Sequence, residues 1–220
     1  TNRDAEVLDD SGLDLTLATD QVNAIRWMYS GKALQLGTSD GPFIMSSGSD
    51  NLALTPTNVT VNRETSDGVA QKKPIGAGKA TLYIDRTRTK LRELAYNLEA
   101  DGFTTPDLTL IAEHVTTGNL IELAYTRSPD SLVWALLETG ELRCLTYERE
   151  QDVVAWHRHV IGGTNVKVKS IAAIPSFDEL QEQLYMVVER TINGSTRQYV
   201  EFLEEAFDQA KGMVPADAFF

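Results

Sequence analysis

Apolar and polar residues alternate along most of this chain in short runs, the period of two that marks half-buried strands. The clearest runs come in pairs. AIRWMYS at 24–30 precedes ALQLGTS from Ala33, and KATLYID at 79–85 precedes KLRELAY from Lys90. LVWALLE at 132–138 precedes ELRCLTY from Glu141, and LYMVVER at 184–190 precedes RQYVEFL from Arg197. A polar turn separates the members of each pair. The last turn, Asn193-Gly194, joins two apolar alternating runs with the dipeptide best able to adopt positive φ at both central positions. Aligned on Trp27, Leu82, Trp134 and Tyr185, the first strands recur at intervals of 55, 52 and 51 residues. Strand-turn-strand units with a period of roughly 40–50 residues build propeller blades.

The repeats run over about 22–64, 74–118, 119–165 and 166–207 within one domain spanning 1–220. The third is the clearest, with NLIELAYTRSP, SLVWALLETG, ELRCLTYEREQD and VVAWHRHVIGG as four successive strands. The expected fold is all-β: an irregular β-propeller-like array of about four antiparallel blades, forming a closed or an incomplete ring. Trp27, Trp134 and Tyr185 are expected between neighbouring sheets, because large aromatics carry much of the buried area where sheets pack.

Other segments break the pattern. Leu13, Leu15 and Leu17 alternate as in a short strand, and 65–78, with Gly68, Pro74, Gly76 and Gly78, reads as a loop. One short helical insertion is predicted over 106–115. Pro106 suits a first helical position with Thr105 as its cap, and Leu108, Ile111, Ala112 and Val115 fall on one face. Beyond Tyr199, the spacing of Val200, Leu203, Phe207 and Ala210 fits a helix as well as a strand.

The formal net charge of −12 argues against nucleic-acid attachment, which needs clustered Lys and Arg. Arg86, Arg88, Lys90 and Arg92 alternate and are expected on one solvated face. No apolar run approaches the roughly 20 residues of a membrane helix. The single cysteine, Cys144, excludes an intramolecular disulfide and reads as a small buried hydrophobe. The start without Met and the apolar end Ala218-Phe219-Phe220 read as those of a piece of a longer polypeptide.

Candidate chemistry is sparse. His157 and His159 lie two apart and share a strand face. Such a pair ligates a metal only with further ligands, so a polar strand face beside Trp156 is the preferred reading. His114 belongs to the predicted helix. Glu148, Glu150 and Asp152 share the period of a strand face, and Glu201, Glu204 and Glu205 form a second acidic group. Neither has the loop spacing of a calcium site, and solvated faces are expected. Ser39-Asp40-Gly41-Pro42-Phe43 lacks the spacing of a sialidase Asp-box, and Gly76 and Gly78 do not precede a helix. The expectation is therefore no catalytic residue, no cofactor-binding residue, no metal ligand and no enzyme. The alternative class is a carbohydrate-binding or carbohydrate-active propeller, which as a glycosidase would need two carboxylates about 5–10 Å apart. A cellular protein-interaction propeller is a third, weaker reading.

Several strings resemble one family. They are NAIRWMYSGKALQLGTSDGPFIMS, LALTPTNVTV, KLRELAYNLEADGFTTPDLTLIAEHV, LVWALLETGELRCLTYEREQDVVAWHRHVIGG and VVERTINGSTRQYVEFLE. Their succession, from about Val22 to Glu205, resembles the central part of the nozzle or tail tubular protein B group of short-tailed phages and prophages. Leu145 to Gln151 and the Asp107-Leu108-Thr109…His114 stretch are the most specific parts. The resemblance implies a virion structural protein, assembled in the bacterial cytoplasm, with copies forming a ring or tube through which the genome leaves. Other tail and connector proteins are the implied partners, alongside copies of the chain itself, within a longer parent. No catalytic residue is carried over. Acidic residues lining or flanking such a conduit would keep DNA from adhering.

Overall fold

The computed structural model describes residues 8–9, 11–17, 23–48, 52–177 and 180–204. These residues form an all-β, propeller-like array of four antiparallel sheets. Blade 1 comprises β1 (Ile25–Ser30), β2 (Leu34–Thr38), β3 (Gly41–Ser47) and β4 (Val59–Arg63). Blade 2 comprises β5 (Ile75–Ala77), β6 (Ala80–Ile84), β7 (Leu91–Asn97) and β8 (Gly102–Thr104). Blade 3 comprises β9 (Leu120–Thr126), β10 (Leu132–Leu137), β11 (Leu142–Glu148) and β12 (Val153–His159). Blade 4 comprises β13 (Lys167–Pro175), β14 (Glu182–Ile192) and β15 (Ser195–Phe202). Each sheet is a meander in which sequence neighbours pair.

Period-two alternation explains why the blades stack. Along β6, Tyr83 turns to blade 1 and packs with Trp27 and Ile44, while Leu82 and Ile84 join a cluster with Leu120, Leu123 and Val133 of blade 3. Along β10, Val133, Ala135 and Leu137 face blade 2, whereas Trp134 and Leu136 face Val168, Leu184, Met186 and Val188 of blade 4. A strand buried on both faces reads as a continuous apolar run, which is why ATLYI and LVWALL look alike in sequence. Each fully buried Leu contributes about 1.5–3 kcal/mol of transfer free energy.

The repeat holds, with one offset. The paired runs of blades 2, 3 and 4 are the second and third strands of their sheets, but AIRWMYS and ALQLGTS are the first and second of blade 1. The structural equivalents therefore begin at 34, 80, 132 and 182. Trp27 and Trp134 do pack between sheets. Tyr185 does not: it lies on the other face from Leu184 and Met186 and pairs with Phe202, their rings 5.6 Å apart.

The predicted helix over 106–115 is absent, replaced by successive turns. Its apolar spacing is real, since Leu108, Ala112 and Val115 are buried, but Ile111 is exposed. The carbonyls that a helix would use are claimed from elsewhere. Glu93 N donates to Pro106 O at 3.1 Å, and Trp156 Nε1 donates to Leu108 O at 2.8 Å. Asp107 Oδ1 meanwhile accepts from the backbone N and the hydroxyl of Thr109, the local competition that disfavours helix at Asp. Tertiary bonds thus outweigh a well-capped but short helical pattern.

Two further expectations change and an open one resolves. The 65–78 segment holds β5 and a bridge from Val69 to Asp85. Residues 11–17 form no strand, although Leu17 packs on the Leu36, Phe43 and Met45 cluster. The open assignment after Tyr199 resolves as strand through Phe202, while Phe207 and Ala210 lie outside the described residues. The Asn193-Gly194 turn has the expected positive φ at both positions, 50° and 77°.

Gly37 sits opposite Trp27 across β1 and β2, and a Cβ there would overlap the indole ring. Gly37→Ala is expected to destabilise the chain by about 1–3 kcal/mol through overpacking. Urea unfolding followed by tryptophan fluorescence checks this, and an unchanged midpoint would contradict the packing.

Candidate functional site

Strands β11 and β12 pair so that Cys144 faces His157 and Leu142 faces His159. On the other side of β11, Cys144 is registered with Trp134 of β10. Trp134, Cys144 and His157 therefore form a row across blade 3, and His159 shares their face through the strand period. That face is the one against blade 4, where Trp134 and Cys144 pack with Val168, Ile171, Leu184 and Met186.

The row brings three potential metal ligands together. One ligand atom from each of Cys144, His157 and His159 lies within 4.8 Å of the others. His157 Nδ1 and His159 Nε2 are 2.9 Å apart and share a hydrogen bond. His157 Nε2 lies 3.4 Å from the Thr146 hydroxyl, and the His159 ring stands edge-on to Trp134 at 4.8 Å. Burial pushes the Cys144 thiol well above its ordinary pKa, the backbone hydrogen bond at Leu145 offsetting only part of that. Burial likewise lowers the pKa of His157. A neutral, enclosed thiol is not a nucleophile. The expectation of a small buried residue at position 144 stands; what sequence reasoning missed is the company it keeps.

The remaining candidates stay apart. Glu148 ends β11, Arg149–Gln151 form a 3-10 turn, and Asp152 closes it in the left-handed region at φ 55°. The three acids therefore do not share a strand face. Glu201 is held by Arg190 at 2.6 and 2.7 Å, and Glu205 lies outside the described residues. His114 is exposed on a turn. Arg92, expected in solvent, is largely buried and pairs with Asp67 at 3.0 Å and Asp85 at 3.3 Å while donating to Thr105 O. Asp40 pairs with Arg63 at the tip of the β2–β3 hairpin.

A groove of about 860 Å³ opens where the inner strands of all four blades converge, touching Tyr29, Ile75, Leu123 and Ile171. Its charged lining is mostly cationic: Lys72, Lys73, Arg127 and Lys169, with Glu122 as the one carboxylate. Glu122 accepts bonds from Ser170 Oγ and Ile171 N, which anchor β13 to β9. Among the described residues this groove thus carries one anchored carboxylate, while Glu93, Glu148 and Glu150 line a separate cavity of about 320 Å³.

The turns at 105–118 are fastened to blades 2 and 3 by polar contacts. Arg143 Nε donates to Val115 O at 2.8 Å, Thr116 Oγ1 to Thr89 O at 2.8 Å, and Lys90 Nζ meets Asp107 Oδ2 at 2.9 Å. Leu108 enters the same core cluster as Leu145 and Tyr147. The two most specific stretches of the resemblance thus meet in one place.

No family model matches this sequence, and no curated protein matches it. Among solved structures, the crystal structure of human WBSCR16 is similar, with a TM-score of 0.43 and 13% identity. The match covers 90% of this chain and 56% of that one, so the chain spans little more than half of that protein's length. At that level the likeness bears on neither activity nor partner.

Asp107 supplies a pH test. Burial raises its pKa, but hydrogen bonds from the Thr109 side chain, Lys90 and the Thr109 backbone outweigh this and hold the carboxyl below its ordinary value. A folded-state pKa below the unfolded one adds stability that is present above the ordinary carboxylate pKa, about 4, and is lost as pH falls through the depressed value. Melting temperature should therefore fall as pH drops below about 4. Asp107→Asn should lower it at neutral pH and flatten the acid slope. An Asp107→Asn melting profile parallel to that of the parent chain would refute the assignment.

Proposed function

We propose that this chain is a structural and assembly module of a phage or prophage tail, of the nozzle or tail tubular protein B kind. It works through packed surfaces and not through reacting groups. The observation that carries this reading is the far face of blade 4. Leu184, Met186 and Val188 are buried against blade 3, so Tyr185, Val187, Val200 and Phe202 face the other way. Among the described residues no blade covers them, and Val200 is 75% exposed. At the other end, Leu17 packs over the outer face of blade 1. A sheet face carrying paired apolar side chains favours burial against another surface.

The resemblance over Val22 to Glu205 supports the same reading and supplies the setting. In it the chain joins tail and connector proteins, and further copies of itself, in a virion tail assembled in the host cytoplasm. The net charge of −12 suits a component beside a DNA path, because it repels phosphate.

Val200→Asp tests the surface without touching a seam. Its effect on the stability of the isolated chain should stay within about 0.5 kcal/mol, as for other exposed sites. In the parent phage it should yield filled or empty heads with incomplete tails, seen by negative-stain microscopy. Normal tails and unchanged titre would overturn the proposal, as would absence of the chain from purified particles by mass spectrometry.

A further inference from the structure

We infer that Cys144, His157 and His159 form a site for a divalent metal of the zinc class on the blade 3 face beside blade 4. The residue types come first. Thiolate sulfur and imidazole nitrogen are the donors that Zn2+ selects, and three such ligands plus a water or hydroxyl complete a tetrahedron.

Geometry comes second. In a tetrahedral site with Zn–N of about 2.05 Å and Zn–S of about 2.3 Å, ligand atoms stand roughly 3.3–3.6 Å from one another. Here the facing nitrogens of His157 and His159 are 2.9 Å apart, and one donor atom from each of the three residues lies within 4.8 Å of the others. Side-chain adjustments of a few tenths of an ångström to about 1 Å separate the two arrangements, while the paired backbones of β11 and β12 stay where they are. The surroundings fit as well. Cys144 is buried at the seam while both histidines are half-exposed, which leaves room for a water in the fourth position, and Trp134 packs edge-on against the His159 ring and restrains it.

The protons balance. His157 Nδ1 and His159 Nε2, as hydrogen-bonded neighbours, hold one proton between them. Metal binding needs lone pairs on both nitrogens. If that proton is on His157 Nδ1, it moves to Nε2, whose N–H then donates a hydrogen bond to the Thr146 hydroxyl, 3.4 Å away, which orients the ring. If it is on His159, it moves to Nδ1 of that ring. Cys144 loses its thiol proton to solvent as the sulfur–metal bond forms, so binding releases one proton per ion. All three ligands belong to one hairpin, so the ion would fasten the outer edge of blade 3 and hold the face that receives blade 4.

The test uses the whole chain, stripped with a chelator and titrated with Co2+ and then Zn2+. The expected result is one ion per chain, with a thiolate-to-cobalt charge-transfer band and the strong visible absorption of four-coordinate Co2+, both bleached by Zn2+. Zn2+ at about a hundred times Kd should raise the melting temperature by roughly 5–10 °C. Cys144→Ala should abolish the charge-transfer band, and His159→Ala should weaken binding by about a hundredfold or more. His114→Ala, on an exposed turn, should bind like the parent. If a ligand variant fails to fold, the parent chain still decides the matter: Zn2+ should protect Cys144 from alkylation in mild denaturant. No charge-transfer band, or equal alkylation with and without Zn2+, would overturn the inference.

Discussion

A central strand in a blade has two apolar faces, and a different neighbour must cover each. The fold rests on this constraint. It sets the order of the seams: Tyr83 looks to blade 1 and Leu82 to blade 3, Val133 to blade 2 and Trp134 to blade 4. No blade can be buried alone, so the stability of each is tied to that of the next, as in other stacked repeats. The same constraint makes the ends of the array special. Leu17 serves at one end, and at the other the far face of blade 4 keeps Val200 in solvent. The proposed role in assembly follows from this asymmetry more than from any side chain's chemistry.

Between blades 2 and 3 the seam is sealed by irregular backbone. The 105–118 turns expose many peptide groups, each costly to bury unpaired. Carbonyls of the segment are matched by Glu93 N, Trp156 Nε1, Arg143 Nε and, at Glu113 O, Thr116 Oγ1, drawn from both blades and from the segment itself. The Lys90–Asp107 pair adds a contact whose strength depends on pH. The segment works as a clasp held by many moderate bonds, each of about 1 kcal/mol net, and not by one dominant contact.

Much of this architecture was legible because strands buried on both faces read as continuous apolar runs bounded by polar turns. The paired runs of blades 2 to 4 are such strands, and the Asn193-Gly194 turn announced its hairpin. Legibility failed where the deciding partner lies far away in sequence. A cap at Thr105 and apolar residues at 108, 112 and 115 looked helical, but the bond from Trp156 to Leu108 spans 48 residues. β5 and β8, three residues each, are too short to show any period. Blade 1 misaligned by one strand because β1 and β2 alternate as convincingly as the hairpins they were matched to. Arg92 looked solvated because its partners Asp67 and Asp85 are not its neighbours in the strand.

The candidate metal site lies at the boundary of what a sequence can disclose. His157 and His159 were visible as a pair because they are two apart. Cys144 was not, because its relation to them depends on hairpin register. That register was nevertheless within reach: pairing Glu148 with Val153 around the Arg149–Gln151 turn carries Cys144 opposite His157. The strand period then puts His159 on the same face, two pairs further along, opposite Leu142. A donor set of one thiol and two imidazoles needs only this local geometry, since β11 and β12 supply all three protein ligands. It thus requires no cavity shared with another blade. A ligand triad confined to one hairpin strengthens that hairpin and the seam behind it, which in an assembly module is the part that has to keep its shape.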